Sequence, residues 1–475
     1  MVEGRDASPR RPLALAGCCS FRAPRVRVEA VSGPSHGVDL SVVIPAFHEG
    51  HSLTALLPEL SRTLAGLGVT YELLVVTRDL DRSTTTAVER AGARHIVPEQ
   101  DGYGVALMAG CAEARGEYIL TMDADLAPET TFVRTLWAAR IGAKVTIASR
   151  YVQGGEARVP WRRWLLSRAL NLFFRRGLSV PIRDLSSSVR LYDAAILRDL
   201  QHDARDLDIL PEVIVRAFAE GWVVREVPFT YAPRLDGSSR RGRWRLAGAY
   251  LQTFWSLWKH HNSIVAADYD DRAHDSIIWL QRYWQRSRYR HVTDLIAAQG
   301  AVLDVGCGSS RIIVTLPPGS VAIDILRRKL RYARRFGRPV VQASGFALPV
   351  RDGAFPCVLC SQVIEHVPKE SPILDELCRA LAPGGRLVIG TPDYANWQWV
   401  WMEKAYGLAA PGGYADEHIA HYTYDELMEI FTTRGFRFEE ARYILRGELI
   451  MAFRKGGAMM VHGRRVRQDC TLHDE

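Results

Sequence analysis

Short runs of β-prone, apolar residues recur along this chain, with helical periodicity filling the gaps between them. Asp39-Leu-Ser-Val-Val-Ile-Pro-Ala46, Tyr71-Glu-Leu-Leu-Val-Val-Thr77, Arg94-His-Ile-Val97 and Lys144-Val-Thr-Ile-Ala-Ser149 are such runs, and Tyr118-Ile-Leu-Thr-Met122 delivers Asp123 and Asp125 at its end. Leucines at 53, 56, 57 and 60 carry the intervening helical spacing. Near-continuous apolar strands separated by helices imply a largely parallel sheet covered on both faces. A second series starts near Ser276, with strand patterns at 301–305, 321–325, 339–342, 357–361, 386–390 and 449–453. The two series share a rhythm but not their motifs, so the chain reads as a fusion of two α/β domains and not as a repeat. A length of 475 residues is too great for one core.

The boundaries follow from composition. Residues 1–38 are rich in Arg, Pro, Gly and Ser without periodicity and read as a disordered tail. The first domain is expected over 39–245, a helical linker with Tyr250, Phe254, Trp255 and Trp258 over 246–275, the second domain over 276–455, and a polar tail over 456–475.

Charge is concentrated. Residues 161–190 and 234–245 together hold twelve arginines against two aspartates, more than the chain's whole excess of +8. Such focusing suits a local anionic partner, a diphosphate or a lipid head group; solvated arginine faces are the plain alternative. From Trp161 to Arg176, Trp161, Trp164, Leu165, Ala169, Leu172 and Phe173 oppose a set of arginines. That pattern serves either a helix lying in a membrane interface or one facing its own core.

The eight cysteines form no extracellular framework, and Cys357 and Cys360 fall inside an apolar strand, where buried thiols are expected. Leu15-Ala-Gly-Cys18 imitates a lipoprotein cleavage site but lacks the apolar run before it. No stretch approaches the roughly 20 apolar residues of a spanning helix. A cytoplasmic protein is expected, with possible peripheral contact at the inner membrane face.

Residues two apart in a strand face one side, so Asp123 and Asp125 can converge on a single cation. Their oxygen ligands favour Mg²⁺ or Mn²⁺ over zinc.

With Pro45-Ala-Phe-His-Glu49, Gly102-Tyr-Gly-Val-Ala-Leu-Met-Ala-Gly110, Asp123-Ala-Asp125, Ser149-Arg-Tyr151, the run Arg183 to Tyr192 and Arg234-Leu-Asp-Gly-Ser-Ser-Arg240 in order, residues 39–245 resemble the family 2 glycosyltransferases, in particular the dolichol-phosphate mannosyltransferase-like group. The resemblance implies a GT-A nucleotide-sugar fold, a nucleotide-sugar donor, and a polyprenyl-phosphate or other glycan acceptor. It implies that Asp123 and Asp125 hold a metal on the leaving diphosphate, that Pro45 and Glu49 border the nucleotide, and that Arg150, Arg234 and Arg240 approach the phosphates. Glu212, near a helix start, is either a general base on an acceptor hydroxyl or a complement to the helix dipole. A phosphate acceptor needs no base, and Arg183 or Arg190 would then position it, with Asp184 orienting those arginines. Thr77-Arg78 stand where this family usually places acids after its second strand, and Asp81 is the substitute expected to hold the base or ribose.

Residues 276–455 resemble class I S-adenosylmethionine-dependent methyltransferases, a Rossmann-like fold. The resemblance rests on Leu303-Asp-Val-Gly-Cys-Gly308, Ile323-Asp-Ile325, Leu359-Cys-Ser-Gln-Val-Ile-Glu-His-Val-Pro368 and Leu381-Ala-Pro-Gly-Gly-Arg-Leu-Val-Ile389. The last two separate it from an NAD domain. By the resemblance, Asp304 and Gly306 contact the methionine end of S-adenosyl-L-methionine, Gly308 completes the close turn, Asp324 takes the ribose, Phe346 the adenine region, and Gln362 borders the cofactor. Ser344 stands where many relatives place an Asp for the adenine amine. His366 and His421 are base candidates for a weakly acidic acceptor, with packing as the other reading.

The expectation is a two-activity transferase; the rival is a methyltransferase whose first domain has become a binding module. The pI of about 9.1 would also fit a nucleic-acid methyltransferase. The chain lacks an Asn/Asp-Pro-Pro-Tyr motif, and no nucleic-acid partner is expected.

Overall fold

A computed structural model of the protein describes residues 37–47, 49–78, 81–125, 130–232, 243–263, 266–276, 278–297, 299–409, 418–456, 460–461 and 464–465. The first part runs β1 (Leu40–Pro45), α1 (Gly50–Ala65), β2 (Tyr71–Val76), α2 (Arg82–Arg90), β3 (Arg94–Ile96), α3 (Tyr103–Glu113), β4 (Tyr118–Thr121) and α4 (Phe132–Ala139). It continues with β5 (Val145–Ser149), β6 (Glu156–Ala157), α5 (Trp161–Gly177), β7 (Arg190–Asp193), α6 (Ala194–Asp199), α7 (Ile209–Ala219), β8 (Val224–Pro228) and β9 (Thr230–Tyr231). Helices α8 (Arg243–His261), α9 (Tyr269–His274) and α10 (Trp279–Ile296) lead to the second part.

There follow β10 (Val302–Val305), α11 (Ile312–Thr315), β11 (Val321–Asp324), α12 (Arg327–Ala333), β12 (Val340–Gln342), β13 (Phe355–Ser361), α13 (Ile373–Ala380) and β14 (Leu381–Pro392). Helices α14 (Trp397–Ala409) and α15 (Tyr424–Thr433) precede β15 (Phe436–Ile444) and β16 (Glu448–Lys455).

Each part builds a seven-stranded mixed sheet, ordered β3-β2-β1-β4-β7-β5-β8 and β12-β11-β10-β13-β14-β16-β15. The expectation of a largely parallel sheet needs one correction in the first part, where β7 runs antiparallel between β4 and β5. Its pattern, Arg-Leu-Tyr-Asp, hides a strand because a charged residue, Arg190, is buried there, its Nη groups donating to the carbonyls of Leu185 and Leu210. The antiparallel β14–β16–β15 edge closes the second sheet.

Helices cover both faces. Leu53, Leu56, Leu57 and Leu60 of α1 are fully buried against Val42, Ile44 and Leu73, while Leu107 of α3 and Val213 and Ile214 of α7 pack with Val43 and Leu74 opposite. Each such leucine contributes about 1.5–3 kcal/mol of burial. The second sheet is sandwiched by α13 and α15 on one side and α10, α11 and α12 on the other.

Two helices join the parts. Helix α8 lies on the first: the Phe254 ring is 4.4 Å from that of Phe173, and the Thr253 hydroxyl donates to Asp208 at 2.7 Å. Just before α9, the Ala267 amide donates to the carbonyl of Ala219 at 2.7 Å, and Asp270 of α9 reaches the second part's glycine turn. Arg331 stacks over Trp222 at 3.4 Å, and Arg328 pairs with Glu220 at 3.0 Å.

Candidate active sites

Strands β1, β2 and β4 are parallel, so their C-terminal ends open on one edge, where ligands of open α/β sheets collect. Strand β4 ends at Thr121, and Asp123 and Asp125 sit in the turn beyond it, not within the strand as alternation suggested. Asp123 is held from both sides: the Tyr103 hydroxyl donates to one oxygen at 2.8 Å and the Ser188 hydroxyl to the other at 2.6 Å. Tyr103 is fixed because α3 starts pressed against a neighbouring loop. The Gly104 amide donates to the carbonyl of Arg205 at 3.0 Å, and a Cβ on Gly102, whose φ is +148°, would lie 2.4 Å from that oxygen.

Asp125 is held differently. Its Oδ1 is buried and has no hydrogen-bond partner. Burial and then the charge of Asp123 push its carboxyl up to about 6, against the opposing pull of Arg163. The Tyr231 hydroxyl is pushed up to about 12 by burial and then by both aspartates. A dry carboxyl oxygen without a donor, coupled to a second carboxylate, is the environment a cation relieves. The pair fits a divalent, oxygen-seeking metal ion.

The surrounding arginines divide into two kinds. Arg150 forks onto the fully buried Asp184, Nε to Oδ2 at 2.8 Å and Nη2 to Oδ1 at 2.7 Å. Asp184 therefore orients Arg150, a correction to the expected pairing with Arg183 or Arg190. Arg183 is exposed and lines a cleft with Tyr151, Arg168, Asn171, Leu172 and Arg175. Arg190 is fully buried and donates to the carbonyls of Leu210 at 2.6 Å and Leu185 at 2.7 Å. No acceptor reaches a guanidinium enclosed in this way, so Arg190 belongs to the scaffold.

Glu212 is likewise withdrawn from the surface, at 1% exposure. Its carboxylate accepts from the Ala204 amide at 2.8 Å and from Arg216 Nε at 2.8 Å, which ties the 203–204 loop to α7 and replaces the expected general-base role. Asp81 caps α2, accepting from the Thr84 amide at 2.6 Å and the Ser83 hydroxyl at 2.9 Å. One oxygen of its carboxylate holds the helix start, a capping role in place of the expected ribose or base contact. Pro45 closes β1 and Glu49 stands at the N-cap of α1, both on the edge that carries Asp123. Arg234 and Arg240 lie outside the described residues.

In the second part, β10 runs into a turn built on Gly306 (φ +76°) and Gly308 (φ +55°). The amides of Gly306 and Cys307 donate to the carbonyl of Ile323 at 2.8 and 3.0 Å. A Cβ on Gly306 would lie 2.1 Å from Cγ2 of Val363, so only glycine lets the turn pass this close. Asp324, ending β11, accepts from the Gly308 amide at 2.8 Å and the Leu326 amide at 2.7 Å, and each oxygen keeps a lone pair. Asp304 is buried, and burial together with Asp324 pushes its carboxyl up to about 7. Gln362 adopts φ +60°, donates its amide to Gly390 at 2.8 Å, and holds a buried side-chain nitrogen without a partner. Phe346, 42% exposed, follows the turn beyond β12. A glycine cradle, a ribose-type carboxylate and an unsatisfied amide nitrogen fit a nucleoside cofactor.

Beyond Gln362, the carbonyl of Glu365 accepts from the amides of Ile419 and Ala420 at 2.8 and 3.0 Å, which brings His418 beside His366, ring centroids 5.0 Å apart. His421 is exposed and stacks on Tyr394 at 3.9 Å.

A profile of glycosyl transferase family 2 matches residues 41–201, and a methyltransferase-domain profile matches residues 303–389. The chain joins a family 2 glycosyltransferase domain to a methyltransferase domain. Over 235 residues, 47% of this chain, it is 28% identical to the dolichol-phosphate mannosyltransferase of Pyrococcus furiosus, and the match spans 65% of that protein's length. The first domain is similar to glucosyl-3-phosphoglycerate synthase of Mycobacterium tuberculosis, solved with Mn²⁺, UDP and glucosyl-3-phosphoglycerate (20% identity, TM-score 0.39, 48% of this chain and 81% of that one). The second is similar to a methyltransferase of Thermotoga maritima described as a possible histamine N-methyltransferase (19% identity, TM-score 0.30, 38% of this chain and 98% of that one).

In the glycosyltransferase domain, sequence reading reached Asp123 and Asp125 but missed Tyr103 and Ser188, which hold them. Tyr103 lies inside the glycine motif of residues 102–110, and Ser188 inside the Ser-Ser-Ser run. In the methyltransferase domain it missed Asp270, which braces the glycine turn from the linker, and Glu365, which pins the 418–421 segment.

Proposed function

We propose that the chain is a bifunctional transferase. The first domain moves a sugar from a nucleotide donor to a polyprenyl phosphate or related glycan acceptor, and the second moves a methyl group from S-adenosylmethionine to a small-molecule or glycan acceptor. The observation that carries the first half is the unpartnered, buried Oδ1 of Asp125 beside the firmly held Asp123. Asp123 and Asp125 would hold Mg²⁺ or Mn²⁺, which supplies charge to the leaving diphosphate. The mannosyltransferase relative acts on a dolichol phosphate by its name, which supports a lipid-phosphate acceptor here.

The chain's own residues give the acceptor a place to arrive. Arg168, Arg175 and the exposed Arg183 line one cleft with Tyr151, and can orient a phosphate monoester without a general base. Leu172 (52%), which lines that cleft, and Trp161 (69%) and Leu166 (72%) elsewhere on α5 stand exposed, which supports the interfacial reading of this helix. Tryptophan and leucine next to arginine suit peripheral contact with an anionic membrane face. No helix among the described residues is long and apolar enough to cross a membrane. For the second half, Asp324 and the amides of the 306–308 turn would hold the cofactor's ribose and methionine ends, with Gln362 alongside. Residues 39–245 and 276–455 are taken as the two catalytic units.

A second reading, a methyltransferase with a glycosyltransferase-like binding domain, is favoured by one observation: Asp81 caps α2, and Thr77 and Arg78 stand at the end of β2 in place of acids. Incubation of the full chain with a panel of nucleotide sugars, polyprenyl phosphate, Mn²⁺ and labelled S-adenosylmethionine, followed by mass spectrometry, decides between them. Sugar-bearing lipid products support the bifunctional reading. Methylated products with neither sugar transfer nor donor hydrolysis support the second.

A further inference from the structure

Outside the cofactor turn, one cluster in the methyltransferase domain has no part in either activity as described. Glu365, His366 and His418 each offer a ligand atom, and these atoms all lie within 4.8 Å of one another. The cluster is not an exposed acidic patch. Glu365 is 0% exposed, and both of its carboxyl oxygens are buried without a well-formed hydrogen bond. A carboxyl group this dry and this poorly matched is costly unless something else in the cluster balances it.

The histidines are arranged as ligands need to be. His418 Nδ1 lies 2.8 Å from a carboxylate oxygen of Glu403 and 2.8 Å from the Tyr394 hydroxyl, so a metal would take Nε2. A carboxylate behind a histidine fixes the tautomer and raises the basicity of the opposite nitrogen. The carbonyl of Glu365 accepts from the amides of Ile419 and Ala420, so the same residue that supplies the carboxylate also delivers His418.

We propose that Glu365, His366 and His418 form a second divalent-cation site, separate from Asp123 and Asp125, with one carboxylate and two imidazoles as ligands. That donor set suits Mn²⁺, Fe²⁺ or Zn²⁺ and leaves coordination positions open. The site lies three residues beyond Gln362 on the segment whose Val363 packs on the cofactor turn. An acceptor with neighbouring hydroxyl groups, a sugar diol or a catechol, is the ligand class that would fill the open positions beside the methyl donor. The inference rests on the methyltransferase reading for its acceptor, but not for the cation itself.

The test uses the full chain carrying Asp123→Ala and Asp125→Ala, stripped with chelator, reloaded with Mn²⁺ or Zn²⁺ and assayed for bound metal. S-adenosylmethionine binding is measured by calorimetry on the same samples. One equivalent of cation is expected, falling at least tenfold in affinity on adding Glu365→Gln and, independently, His418→Ala, while cofactor affinity stays within about threefold. Absence of any tight cation from the Asp123→Ala/Asp125→Ala chain overturns the proposal, as does retention of that cation in both added variants. If the cofactor binds but no cation does, the site fails and the methyltransferase reading stands; if the cation binds but the cofactor does not, the reverse holds.

Discussion

The ammonium of Lys329 lies 2.9 Å from the Asp270 carboxylate, which also accepts from the amide and hydroxyl of Ser309 at 3.0 and 3.1 Å. Asp270 belongs to α9, and Ser309 follows the glycine turn, so the helix joining the two parts braces the proposed cofactor site from behind. The partners hold the Asp270 carboxyl below its ordinary range and the Lys329 ammonium above its own, despite burial. Stability from a depressed carboxyl is present at neutral pH and lost as pH falls through its folded value, below the usual carboxylate range. Asp270→Ala takes the hydrogen-bonded carboxylate from a largely buried ammonium, leaving it only the charge of Asp324, and is expected to cost about 3 kcal/mol in denaturant unfolding. S-adenosylmethionine affinity is expected to fall about tenfold. Unchanged binding in a stable variant would show the brace to be irrelevant to the turn.

Asp125 predicts a pH dependence of opposite sense. Its folded value of about 6 lies above the ordinary 3.8, so without metal its ionisation opposes folding as pH rises through that window. Asp125→Asn in the metal-free chain should therefore gain about 1–3 kcal/mol at pH 7.5 and almost nothing at pH 4. Mn²⁺ binding at this centre should weaken about tenfold for each pH unit below 6. Sugar transfer should drop at least 100-fold in the variant. Calorimetry and thermal melts across pH 4–8 check all three.

The glycine turn makes a steric prediction. Gly306→Ala forces a side chain onto a φ of +76° and into Val363, and should destabilise the chain by about 1–3 kcal/mol while abolishing cofactor binding. Asp324→Ala frees the Gly308 amide and should weaken S-adenosylmethionine about 100-fold in an equilibrium binding assay. Methyl transfer that survives this change would relocate the ribose contact.

Helix α5 can be tested apart from chemistry. Trp161→Ala with Leu166→Glu should cut co-sedimentation with anionic liposomes at least tenfold, and raised salt should weaken binding of the unaltered chain. The far-ultraviolet spectrum should not move, since only Asn171 and Phe174 of this helix are buried. Equal sedimentation of variant and parent would remove the membrane from the reading.

What the chain announced locally, the structure kept. Strands such as Leu40–Pro45 and Val302–Val305 are legible because burial on both faces writes an unbroken apolar run, and the aspartates that follow or end strands are fixed by short-range spacing. Residues that failed the expectation did so through distant partners. Nothing near Arg190 foretells that Leu185 and Leu210 will enclose it, and nothing near Glu212 foretells Ala204. Asp81 looked like a ligand because an acid before a helix serves capping and binding with the same letters. His418 stood three residues from the histidine singled out; only the fold of Glu365 against Ile419 separates the inward ring from the outward one.

Segment 266–275 is a connector by sequence, yet Ala267 is tied to Ala219 on one side and Asp270 to Ser309 on the other. The chain is thus less a tandem of detachable enzymes than two rooms with a party wall. Cutting before the wall deprives α7 of the amide on the Ala219 carbonyl; cutting after it takes from Lys329 the carboxylate of Asp270, its hydrogen-bonded partner. Neither half, expressed at the obvious seam, would be the enzyme it is in the whole.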